Sequence, residues 1–368
     1  MKIVIAPDSF KGSATSHEIS QWIENGIRSV IPECEIEKIL IGDGGEGSLA
    51  VAIAAGYKTV QCTVVGPSGN QVVANFGIKG SSAFIELAQA SGLSQLRDGK
   101  LAPLTATSFG TGELIKAALD AGARQIIVAV GGSACTDAGA GALQALGAQL
   151  LDSAGRQLPY GGAALQDCAS IDLSHLDPRI AHTEFILASD VTNPLLGTHG
   201  AAAVYAPQKG ASSHDVVVLE QALSHFADSA GTTHVTTPSA GAAGGFGFMA
   251  LTFLHARAES GIAIALDMAD FDSALSGADL VITGEGRFDT QSLNGKAPFG
   301  ILRRAQRHQV PVALICGQAA LNSSDEIAAQ FESITTLQSL ESDITKCISD
   351  PRPIIEKIAT SIAKRLPS

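Results

Sequence analysis

The chain has 368 residues, 45% of them hydrophobic and only 5% aromatic, and carries a net charge of −12. That length predicts two domains, with cores filled by Val, Ile, Leu and Ala rather than by aromatic rings. No run of Lys or Arg exceeds two residues, so neither nucleic acid nor an anionic membrane finds a basic stripe to hold its phosphates.

In chain order, "KIVIA" reads as a strand, and a helix follows from about Ser16 to Val30 with Ser16 as its N-cap. The opening "MKIVIAPDSF" is a core strand rather than a secretory leader, because Pro7 and Asp8 interrupt its apolar run. "EIEKILIG" is the next strand and "GSLAVAIAAG" a short helix. "KTVQCTVVG" and "QVVANFGIKG" alternate apolar and polar residues around a Gly/Pro/Asn turn, which predicts a hairpin. "SAFIELA" follows. "GTGELIKAALDAG" is a helix stopped by Gly122, and "RQIIVAVGG" and "TEFILASD" are strands. "HDVVVLEQALSHFADSAG" is an amphipathic helix and "AAGGFGFMALTFLHA" a buried one. "ADLVITGEG" and "VPVALICG" have the apolar run of parallel-sheet strands, and "DPRPIIEKIATSIAKRL" closes the chain as a helix with Pro in its first turn.

Strands alternating with helices predict parallel sheets with right-handed crossovers. The ends of the chain read as plain βαβ, whereas the middle holds the hairpin and most glycine loops. The expected architecture is α/β throughout. Residues 1–60 plus 265–368 form a discontinuous Rossmann/flavodoxin-like domain with a parallel sheet, and 61–264 an inserted second α/β domain with a mixed sheet. The six cysteines (34, 62, 135, 168, 316 and 347) form no CxxC pair and read as free thiols of a reducing cytoplasm. No apolar stretch is long enough to span a bilayer.

Four acids stand where strands end: Asp8, Asp43, Asp190 and Glu285. In open α/β sheets that edge binds ligands, although each acid alone equally suits a turn or helix cap. The 39 glycines cluster in short loops rather than in linkers. "VGGSACTDAGAG" (130–141) has the outline of an anion-binding turn that leads a strand into a helix, though a tight packing turn would look the same. Cys135 within it lacks a His companion and reads as a buried thiol. Cations are scarce, so Lys11, Lys209, Arg287 and Lys296 inside these motifs stand out; surface charge is the bland alternative. Amides and cations that neutralise phosphates, with acids that gather Mg²⁺ and orient a hydroxyl, are what phosphoryl transfer needs.

Several stretches together resemble the bacterial glycerate kinases of the first class, the glycerate 2-kinase type. They are "MKIVIAPDSFKGS", "DGGEG" (43–47), "TSFGTGELI" (107–115), "GGSACTDAGAG", "ASDVTNPLLG" (188–197), "APQKGA" (206–211), "GAAGGFG" (241–247) and "DLVITGEGRFDTQSLNGKAP" (279–298). The family pattern "GGSATNDGG" is altered here, with Cys135, Thr136, Asp137 and Ala138 after Ala134. The resemblance implies transfer of the ATP γ-phosphate to D-glycerate with Mg²⁺, giving 2-phosphoglycerate, in a cleft between two α/β domains. On this reading Asp190, Arg287 and Lys11 are catalytic, with Asp190 the base. Asp8, Ser9, Asn193 and Asp289 bind substrate. Gly131, Gly132, Ser133, Gly244 and Gly245 bind nucleotide, and Asp43 and Glu285 hold the metal. A cytoplasmic enzyme is expected, with a homodimer left open.

Two other readings compete. A non-catalytic binder of nucleotides or sugar acids would use the same loops but would not need several acids to gather metal. A small-hydroxyacid dehydrogenase should show G-x-G-x-x-G after a strand, with an acid about 20 residues on, and neither is clear.

Overall fold

The computed structural model describes residues 1–10, 12–42, 45, 47–288, 297–320, 326 and 328–366. Lys11, Asp43, Asp289 and Lys296 lie outside them. The chain divides into two compact units, Met1–Asp43 with Ile262–Ser368, and Gly44–Gly261. The first unit begins with β1 (Lys2–Pro7) and β2 (Glu35–Lys38). The second holds β3 (Lys58–Val65), β4 (Gln71–Lys79), β5 (Ser82–Glu86), β6 (Gln125–Ala129), β7 (Gln149–Leu151), β8 (Ser170–Asp172), β9 (Glu184–Ala188) and β10 (Arg257–Glu259). The chain then returns to the first unit with β11 (Leu280–Phe288), β12 (Val312–Ala319) and β13 (Ser333–Thr336).

The sheet of the first unit is wholly parallel, in the order β13-β12-β11-β1-β2. Renumbered within the unit and read from the other edge, this is the flavodoxin-like order 2-1-3-4-5. Both faces are covered, which is why the strands read as continuous apolar runs. Ile3, Ile5, Ile282 and Ile315 face one side, where Ile19, Ile23 and Ile27 of helix Ser16–Arg28 meet Ile355, Ile358 and Ile362 of helix Arg352–Ala363. Val4, Val281 and Leu314 face the other, with Ile262, Leu266 and helix Ala297–Arg307. The first two helices approach closely because Gly26 has no Cβ; one would lie 2.6 Å from that of Ala359.

The N-cap of Ser16–Arg28 is Thr15 rather than Ser16. Thr15 and Glu18 form a capping box, while the Ser16 hydroxyl donates to the Pro7 carbonyl at 2.6 Å. Both residues can cap a helix, and a contact with β1 selects between them.

The sheet of the second unit is mixed, in the order β10-β9-β6-β5-β4-β3. β3 and β4 form the expected antiparallel hairpin, with Val65 opposite Gln71, while β5, β6, β9 and β10 run parallel. A separate antiparallel ribbon joins β7 to β8. Helix Ser213–Ala230 opens on a Ser212/Asp215 capping box and stops at Gly231, which takes φ 61°. Helix Ser48–Ala54 also belongs to this unit: the amides of Gly47 and Leu49 at its start donate to Glu86, at the end of β5.

Candidate active site

In the first unit the chain leaves β1 for β2 on one side and later returns as β11 on the other. The β1/β11 junction is therefore the topological switch point, where ligands bind in sheets of this kind. Asp8 follows β1 directly, and its amide donates to the Gly284 carbonyl of β11 at 2.8 Å. The Ser9 amide donates to the Asp8 carboxylate at 2.7 Å, which fixes that side chain over the strand ends. Glu285 is 5% exposed, and Arg287 lies two residues further along β11 with its side chain exposed. Asp8, Ser9, Glu285 and Arg287 line one cavity of about 320 Å³. Cys316 of β12 pairs with Glu285, and burial, together with the Glu285 charge, pushes its thiol up to about 12. Cys316 is thus a buried, neutral thiol behind the cavity and no nucleophile.

In the second unit the glycine loops interlock. Asp137 is fully buried and accepts four hydrogen bonds: from the Ser108 amide (2.8 Å) and hydroxyl (2.9 Å), and from the Gly139 (3.1 Å) and Gly141 (3.3 Å) amides. The inner amides of this anion-binding turn are therefore taken by the chain's own carboxylate. Gly244 and Gly245 are buried behind the turn, with φ 68° and 91°. A Cβ on Gly244 would stand 2.2 Å from the Cys135 carbonyl oxygen, and one on Gly245 would stand 2.8 Å from Ala138. Left-handed Ala138, Ser239 and Ala243 belong to the same knot, where strained backbone is concentrated.

Lys209 is 1% exposed, and its ammonium donates to the Ser133 hydroxyl (2.9 Å) and the Cys135 carbonyl (2.5 Å). Burial pushes its pKa down, opposed by the nearby Cys135 and Asp137. Burial likewise raises that of the Cys135 thiol, with Asp137 adding to the effect, so Cys135 stays protonated. Replacing Lys209 with Met removes the donor from both acceptors. An unpaired buried group costs about 1–3 kcal/mol, so Lys209→Met is expected to lower the urea midpoint accordingly. An unchanged midpoint would show that the cost of burying the ammonium cancels its hydrogen bonds.

Asp190 follows β9, half-buried, and accepts from the Ser260 hydroxyl at 2.7 Å. The Asn193 side chain donates to the His199 carbonyl and accepts from Tyr205, which ties down the loop after β9. Gly131 is half-buried and Gly132 exposed at the end of β6.

The structure thus brings Asp8, Ser9, Glu285 and Arg287 together in the first unit. In the second, Ser133, Gly244 and Gly245 share one knot, and the Asn193 carbonyl accepts from the Gly241 amide beside it. Asp190 stands on the same loop as Asn193. Lys11, Asp43 and Asp289 lie outside the described residues. Sequence reading gave no role to Asp137, Lys209 or Glu86. For the first two the signal was present, since an acid and a lysine lie inside glycine motifs. Glu86 had the weaker signal of an acid ending an apolar strand.

The profile of the Glycerate kinase family matches residues 3–367. The chain is 47% identical over 331 residues to a glycerate kinase of Bacillus subtilis (strain 168), covering 88% of this chain and 87% of the relative. It is 43% identical over 352 residues to a glycerate 2-kinase of Escherichia coli (strain K12), covering 93% and 92%. A crystal structure from Salmonella typhimurium LT2, of a protein provisionally assigned as glycerate kinase 2, matches with a TM-score of 0.81 and 40% identity, over 99% of this chain and 97% of that one. One family spans the chain nearly end to end, so the chain belongs to the glycerate kinase family, and the protein is a kinase.

Proposed function

We propose that the protein transfers the γ-phosphate of ATP to D-glycerate, giving 2-phosphoglycerate and ADP. The observation that carries this reading is the convergence of Asp8, Glu285 and Arg287 on one cavity at the switch point of a parallel sheet. Two carboxylates and a guanidinium there suit a metal-bound phosphate and the hydroxyl that attacks it.

The metal fits this donor set. Among the described residues no group of three or more potential ligands occurs, but Mg²⁺ is ordinarily held by one or two carboxylates with phosphates and water. Glu285 and Asp8 would hold it; Asp43, expected as a ligand from the sequence, lies outside the described residues. Bound there, Mg²⁺ would neutralise charge on the phosphates. Ser9 and Asp8 would bond the acceptor's hydroxyls, and Arg287 would neutralise the phosphoryl group as its bond to the bridging oxygen breaks. Asp190 takes the proton of the attacking hydroxyl. Asn193 would contact the acid, and the amides of half-buried Gly131 and exposed Gly132, beside Ser133, would offer the nucleotide a further anion contact. Gly244 and Gly245 support that turn from behind.

The test is ADP release in a coupled assay with D-glycerate, with and without Mg²⁺, and the product identified by phosphorus NMR. ADP formation that needs both glycerate and Mg²⁺, with the phosphate on the 2-hydroxyl, is expected. Binding without turnover would favour the non-catalytic reading. A 3-phospho product would overturn the regiochemistry alone. The reading places the enzyme in the cytoplasm; among the described residues no helix is long and apolar enough to cross a membrane.

A further inference from the structure

We infer that the β1/β11 cavity of the first unit is the nucleoside subsite, with the adenine ring lying against an apolar wall formed by Leu337, Ile344 and Ile348. This rests on the proposed ATP-dependent reaction and goes beyond it by placing the base. The cavity has two chemically different ends. Asp8, Glu285 and Arg287 supply one, suited to phosphate and metal. The other is the wall, in which Ile344 and Ile348 lie one turn apart on the short helix Ile344–Ser349, above buried Leu337.

Size points the same way. A cavity of about 320 Å³ is on the scale of drug-sized ligand pockets, roughly 300–1,000 Å³. A three-carbon acid would leave most of it to water and would gain nothing from aliphatic side chains. A purine is flat, apolar on its faces and polar at its edge. The wall fits the faces, and the edge has partners available. Gln318 on β12 and Gln338 both line the cavity, are half-buried, and make no side-chain hydrogen bond to any described residue. A glutamine amide presents the donor and acceptor that match the adenine amino group and its adjacent ring nitrogen.

The wall is also held in place before any ligand arrives. The Ser13 hydroxyl donates to the Ile348 carbonyl at 2.6 Å, and Asp343 caps the short helix at the Thr345 amide (2.9 Å). Ile344 and Ile348 remain 49% and 51% exposed despite this anchoring. Apolar side chains fixed at the rim of a polar cavity are explained by a flat apolar ligand.

The test compares the wild type with Ile348→Asp and Gln338→Ala in steady-state kinetics and in calorimetric titration with ADP. Both positions are partly exposed, and thermal melts will show that the variants fold. At least a ten-fold rise in the KM for ATP and in the Kd for ADP is expected for Ile348→Asp, with the KM for glycerate within two-fold of wild type. Gln338→Ala should weaken ADP and narrow the preference for ADP over GDP. A rise confined to the KM for glycerate would assign the cavity to the acid and overturn the inference. So would unchanged ADP affinity in both folded variants. If the wild type itself neither binds ADP nor phosphorylates glycerate, the proposed function fails and the inference with it. Wild-type turnover with unaffected variants rejects the inference alone.

Discussion

Arg287→Ala is expected to leave the fold intact and to lower kcat/KM by about 10²-fold or more. The guanidinium lines the cavity, but its side chain is exposed, whereas its neighbour Phe288 is fully buried and anchors the strand. Truncation at 287 therefore opens no void in the core. What it removes is positive charge beside two carboxylates, at a place where a transferring phosphoryl group would add more negative charge. Arg287→Lys separates charge from geometry. Lysine supplies a point charge without the planar fork of donors, so partial recovery is expected. Near-native turnover in a folded Arg287→Ala would take the residue out of the mechanism.

Asp190→Asn is expected to cut kcat by roughly 10²–10⁴-fold, the range that a positioned general base contributes, with little change in ADP affinity by calorimetry. The substitution keeps shape and an acceptor for the Ser260 hydroxyl, which bonds Asp190 at 2.7 Å. It removes the charge and the capacity to take a proton. Full activity would leave Asp190 as an anchor of its loop and move the search for the base to Asp8, Asp43 and Asp289. Complete loss of Mg·ATP binding would instead make it a metal ligand.

The architecture was legible because its signals are local. Apolar runs ending in glycine or acid gave the parallel strands; the strand-end rule picked out Asp8, Asp43, Asp190 and Glu285, and Arg287 stood out as a scarce cation inside a glycine motif. What sequence did not show depends on partners far along the chain. Asp137 looks like part of an anion turn until its acceptor role toward Ser108 is seen. Lys209 looks like a surface cation until Ser133 and Cys135 close around it. Thr15 and Ser16 are equally good caps by residue type, and the Thr15/Glu18 capping box, with the Pro7 carbonyl taking the Ser16 hydroxyl, decides between them. The stretch 337–348 spaces its apolar residues at 337, 340, 344, 347 and 348, a helical period, but nothing local announced that Leu337, Ile344 and Ile348 line a cavity with Asp8 and Glu285.

The interior position of β1, between β2 and β11, governs the order in which this chain can fold during synthesis. Its neighbours are β2, made soon after it, and β11, whose Leu280 faces Ile3 only after the whole second unit has been translated. Residues 44–261 can therefore collapse while the ribosome is still working, but β1 must keep one edge open until the last third of the chain emerges. Pairings so distant in sequence form slowly, and an apolar strand waiting with an open edge is exposed to the wrong partner. Premature stops beyond residue 261 should thus yield a well-formed second unit attached to an aggregating amino-terminal strand. Chaperone demand should fall on the first unit, although it is the smaller of the two.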